Sequence, residues 1–68
     1  MNITPERQMI ATRLIGGVAD GDEVAVLSDS QAVSLSRLGN GWAVYYLCPD
    51  GRYRFVDVSA RPVGQVIE

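Results

Sequence analysis

The chain has no histidine and no lysine, a single cysteine and a single tryptophan, and no long apolar run. Each absence excludes something. Without histidine the usual zinc ligand sets cannot be assembled within one chain, and the commonest general acid or base near neutral pH is missing. Cys48, alone, cannot form an intramolecular disulfide. No stretch approaches the roughly 18 apolar residues of a membrane span. The start, MNITPERQMI, lacks the basic region and apolar core of a secretory leader, so a cytoplasmic protein is expected. Asp20, Asp22 and Glu23 crowd together but lack the spacing of a calcium loop, and no metal site is expected. The glycine pair Gly16-Gly17 follows an expected helix rather than opening one, so no phosphate cradle or bound cofactor is expected. An enzyme is not expected.

At 68 residues the chain makes one domain, too small to supply more than about 3 to 5 kcal/mol from a single core. A homodimer is the natural supplement. All six basic residues are arginine and the net charge is -2. The arginine bias fits a GC-rich genome better than selection for forked cations. Acidic Asp20, Asp22, Glu23 and Asp29 precede the midpoint, while Arg52, Arg54 and Arg61 lie in the last third, so charge is unevenly spread.

What is present is best defined between Gly39 and Val58, GNGWAVYYLCPDGRYRFVDV. Pro49, Asp50 and Gly51 break two runs rich in β-branched and aromatic residues, which is the pattern of a hairpin. Proline pre-sets φ at the first turn position, aspartate suits the second, and glycine takes the left-handed conformation of a G1 bulge. With Cys48 facing Arg52, Tyr46 faces Arg54, Val44 faces Val56 and Trp42 faces Val58. One face then carries Trp42, Val44, Tyr46, Cys48, Arg52, Arg54, Val56 and Val58, and the other carries Ala43, Tyr45, Leu47, Tyr53, Phe55 and Asp57. Both faces hold rings and both need cover.

The rest of the chain supplies candidates for that cover. Thr4 as N-cap, Pro5 at the first helical position, Glu6 in the first turn and Gly16-Gly17 as a stop predict a helix over about 4–16. Met9, Ile10, Ala11, Leu14 and Ile15 would form its buried stripe. Strands are expected over about 23–28, 32–38, 42–48 and 52–58, with a fifth edge strand over 63–67. The expected fold is α+β: one N-terminal helix packed on a four- to five-stranded antiparallel meander sheet. An SH3-like or Tudor-like small barrel preceded by a helix is the alternative. This plan is similar to that of many small phage and bacterial accessory proteins that work by binding a larger protein, an analogy of fold only.

Three functions compete on these residues. The first is a non-catalytic protein-binding module, an inhibitor or adaptor of a larger protein, whose partner-binding residues are Trp42, Tyr46, Arg52 and Arg54. Tryptophan, tyrosine and arginine are the side chains most enriched at binding hot spots. The second is a small-barrel nucleic-acid binder, with aromatics to stack bases and arginines to follow the backbone. The third is thiol redox chemistry at Cys48, beside Arg52. The acidic segment at residues 20 to 29 opposes the second, and the lack of a base opposes the third.

Overall fold

The computed structural model describes residues 8–38 and 41–67 and contains no helix among them. The described residues are all-β and form six strands: β1 (Met9–Ile15), β2 (Glu23–Leu27), β3 (Ala32–Leu38), β4 (Gly41–Leu47), β5 (Tyr53–Ser59) and β6 (Gln65–Ile67). They form one sheet in the order β2-β1-β5-β4-β3-β6, curled into a nearly closed barrel.

The expected N-terminal helix is overturned. Residues Met9 to Ile15 form a strand, and Thr4, Pro5 and Glu6, which carried the helix start, lie outside the described residues. Helix propensity is a weak prior, and a segment this short is not stable as a helix in isolation. Here both edges of the segment find backbone partners. Met9 to Arg13 pair antiparallel with Leu27 to Glu23, and Leu14 and Ile15 pair parallel with Tyr53 and Arg54. Gly16 and Gly17, with φ of 83° and 68°, stop no helix; they turn β1 away from β5 toward β2.

The meander is also corrected. β2 does not pair with β3, because Ser28 to Gln31 is no hairpin turn; β2 pairs with β1 instead. The true meander is β3-β4-β5, and the sheet is mixed, since β1 lies parallel to β5 and β6 parallel to β3. The barrel alternative carried the same helix and fails at the same residues, although barrel-like closure is what the chain achieves.

The barrel interior is built from inward positions on β1 to β5. Leu14, Val24, Val26, Val33, Leu35, Ala43, Tyr45 and Tyr53 are buried together with Ala19 from the β1–β2 turn, and Leu47, Phe55 and Ile67 pack against them. β2 shows the reason in its sequence: EVAVL alternates, and its two valines point in. The rings of Tyr45 and Phe55 meet edge to face at 5.6 Å. The Tyr45 hydroxyl accepts from the Ala19 N–H at 3.1 Å and donates to the Gly16 carbonyl at 2.6 Å, tying the β1–β2 turn to the barrel wall. Tyr53 reaches the other end, where its hydroxyl donates to the Ser30 carbonyl. Burial, and then the charge of Asp29, push that hydroxyl above its ordinary value of 10.0.

β3 is buried on both faces. Val33 and Leu35 point in, while Ser34 faces out and is fully buried because the segment leading into β6 crosses it. The Ser34 hydroxyl donates to the Val63 carbonyl and accepts from the Val63 N–H, both at 2.6 Å. This strap, residues 60–64, covers the outer face of β3 at Ser34. Gly64 makes the close approach that brings the chain onto Ala32 and down into β6.

Candidate functional site

The β4–β5 hairpin presents the most distinctive surface. Its tip forms as the residues dictate: the Cys48 N–H donates to the Arg52 carbonyl, the Gly51 N–H donates to the Cys48 carbonyl, and Gly51 has φ of 83°. Asp50 holds the tip together, accepting from the Arg52 N–H at 3.0 Å and from Arg54 Nη2 at 2.7 Å. Asp50 therefore both makes the turn and aims Arg54.

These contacts shift two groups. The hydrogen bond from Arg54, and then that from the Arg52 N–H, hold the Asp50 carboxyl below its ordinary 3.8. The same bond raises Arg54 above its ordinary value. The folded chain thus binds a proton at Asp50 more weakly than the unfolded chain does. The stabilisation is fully present above 3.8 and is lost as pH falls through the lower folded value. Chemical-denaturant melts of the wild type and of Asp50→Asn, taken from neutral pH downward, are expected to differ above 3.8 and to converge below it.

Register holds as far as Tyr45 and then slips. Leu47, Tyr46 and Tyr45 stand opposite Tyr53, Arg54 and Phe55, but Val44 stands opposite Asp57, Ala43 opposite Val58 and Trp42 opposite Ser59. Val56 is the extra residue of a β-bulge. The expected pairs Val44–Val56 and Trp42–Val58 are therefore not formed. Val58 comes to stand opposite Ala43 yet remains 51 % exposed, and Asp57 stands opposite Val44 on the outward face. Beyond the bulge the Asp57 carboxylate accepts from the Val58 N–H at 2.7 Å, so that amide is not open to an added strand.

The outward face of the hairpin follows from that register. Tyr46 and Val56 are 46 % and 54 % exposed, with Arg54 opposite Tyr46 and Arg52 exposed one alternate position away. Trp42 is half-buried and stands apart: four residues along a strand are about 13 Å, and Val44 between them is buried. The fold thus brings together Tyr46, Arg52 and Arg54 of the four expected residues, adds Val56, and leaves Trp42 at the far end of β4. On the β3 side the patch ends at Ala32, which is buried opposite Tyr46.

Cys48 is a free, half-buried thiol whose Sγ approaches the Tyr46 carbonyl at 3.7 Å. Among the described residues no three of cysteine, aspartate or glutamate come together as a metal-holding group.

A second feature was not expected from the sequence. The Gln65 side chain bridges the two edge strands of the barrel: Oε1 accepts from the Leu27 N–H at 2.7 Å and from Ser30 Oγ at 2.9 Å, while Nε2 donates to the Ala25 carbonyl at 3.4 Å. A cleft of about 300 Å³ opens beside it between Leu27, Ser30, Gln31 and Gly64. The signal was faint but present, since Gln65 is the one polar side chain between Val63 and Ile67 other than glycine.

No protein-family model matches the chain, and no curated protein or solved structure is significantly similar to it.

Proposed function

We propose that the protein is a small non-catalytic binding module that engages a larger protein partner through the outward face of β4 and β5. The observation that carries this reading is the grouping of Tyr46, Val56, Arg52 and Arg54, with two large apolar side chains about half exposed beside two arginines. A ring, an aliphatic neighbour and a guanidinium already held in place by Asp50 lose little conformational freedom on binding, which is what a hot spot requires. The same face, meeting its copy, also suits a homodimer. Cys48 as a free thiol fits a reducing compartment such as the cytoplasm.

Nucleic acid is the weaker reading. Asp50 already neutralises Arg54 at 2.7 Å, and the bulge turns Asp57 onto the same face, so little positive charge is left for phosphate. Edge pairing at β5 is also disfavoured, because the Val58 amide is already occupied.

The double variant Arg52→Glu/Arg54→Glu is expected to remain folded while losing the exposed Arg54–Asp50 pair, and the single variant Tyr46→Ser is expected to fold with stability within about 0.5 kcal/mol of wild type, as exposed substitutions generally do. Both are expected to abolish capture of partner proteins from source-cell lysate, with nuclease treatment making no difference. Light scattering at high concentration reports the homodimer. Partners retained by both variants, or lost on nuclease treatment, would exclude this reading.

A further inference from the structure

The barrel is closed at its seam by a side chain standing in for a strand. Along β2 the residues alternate in which way their backbone groups point. The Leu14 N–H donates to the Asp22 carbonyl at 2.9 Å and the Ser28 N–H donates to the Gln8 carbonyl at 2.8 Å. Even-numbered positions therefore bond to β1, and Ala25 and Leu27 offer their N–H and C=O to the opposite edge. At that edge the Ala25 carbonyl and the Leu27 N–H are the two groups that one residue of a parallel strand opposite Val26 would engage. The primary amide of Gln65 engages both, accepting from one and donating to the other. It has the composition and polarity of a peptide group, placed where a peptide group would lie.

We infer that the free edge of β2, with the cleft of about 300 Å³ at its end, is a binding site for an extended peptide that pairs with β2 after displacing the Gln65 side chain. Such strand addition draws affinity from main-chain bonds and selectivity from flanking pockets. The cleft lies beyond Leu27, between Ser30, Gln31 and Gly64, in the direction in which a strand parallel to β2 would continue. Its polar lining from Asp29, Ser30 and Gln31 favours a hydrogen-bond-donating side chain near the C-terminal end of the peptide. In the free protein Gln65 satisfies the edge, which protects it against indiscriminate pairing with other strands. The displaced amide returns to water, and its two bonds to β2 are exchanged for two from the peptide. This site is separate from the outward face of β4 and β5.

The test is a selection of phage-displayed random short peptides on the intact chain, followed by titration of the enriched synthetic peptides into isotopically labelled protein. Amide shifts are expected at Val24 to Ser30 and at the Gln65 side-chain amide. Gln65→Ala, with the competitor removed, is expected to bind the same peptides roughly tenfold more tightly, the equivalent of one to two net hydrogen bonds. Gln65→Glu keeps the acceptor but cannot donate to Ala25, and it is expected to bind more tightly by a smaller factor; it serves also if the alanine variant fails to fold. Arg52→Glu/Arg54→Glu should leave peptide binding unchanged. No peptide enriched above a blank support, shifts centred on Tyr46 and Arg54, or folded Gln65 variants with unchanged or weaker affinity would each overturn the assignment.

Discussion

Gly64→Ala is expected to leave most molecules unfolded at ambient temperature, with a loss of about 3 kcal/mol or more. Two effects add. Gly64 has φ of 71°, a conformation that an alanine adopts only at a cost of about 1 to 2 kcal/mol. An added Cβ would also overlap the Ala32 carbonyl oxygen and lie 2.7 Å from its carbon and 2.9 Å from its Cβ. Those atoms belong to β3, which is paired with β4 at Tyr46, so they cannot step aside as a flexible side chain could. The relief available is for the strap to lift, which breaks both Ser34–Val63 bonds and uncovers the outer face of β3. A domain with about 3 to 5 kcal/mol in total does not survive that. Gly51→Ala is the control: its φ is 83° but nothing lies within 4 Å of the added atom, so only the backbone term remains. Urea melts followed by Trp42 fluorescence should show the two glycine variants well separated.

Tyr45→Ala is expected to be as damaging, at about 3 to 5 kcal/mol, by removing one of the two large tyrosine rings buried in the core. Tyr45→Phe separates the ring from the hydroxyl. It keeps the edge-to-face contact with Phe55 but strips the Ala19 N–H of its acceptor and the Gly16 carbonyl of its donor. Leaving the buried Ala19 amide unpaired should lower stability by about 1 to 3 kcal/mol. Because that amide lies in the β1–β2 turn, its hydrogen exchange should accelerate in Tyr45→Phe more than exchange in β3 and β4. Equal acceleration everywhere would show that the hydroxyl serves the whole barrel and not the turn.

The hairpin was legible because its determinants are local. Pro49, Asp50 and Gly51 specify a turn through their own torsional limits, and the turn sets the pairing of Tyr46 with Arg54 and of Leu47 with Tyr53. The slip at Val56 was not legible. A bulge answers a demand for strand curvature, and curvature is a property of the closed sheet. The candidate site inherits the same division: Tyr46, Arg52, Arg54 and the face they share with Val56 follow from the turn, whereas the outward move of Asp57 follows from the bulge and the burial of Val44 between Tyr46 and Trp42 follows from the tertiary fold.

The N-terminal segment marks the limit most sharply. MIATRLI followed by two glycines has its apolar residues at helical spacing and no strict strand alternation, so its own pattern points to a helix. The decision comes from β2 and β5, whose edges supply backbone partners along the segment, and from a barrel interior that takes Leu14 inward. Gln65 is the complementary case, since a glutamine in an apolar tail has no meaning until the two edges of the sheet are brought within reach of its amide. Sequence alone thus determined the hairpin turn at Pro49 to Gly51, the strand tendency of residues 23–27, 32–38 and 41–58 and the lack of an internal disulfide, because these rest on torsional preference and composition. Tertiary structure alone decided which edges meet, which face of β3 is covered and how the barrel closes, because those depend on backbone groups that every residue carries and no side chain announces.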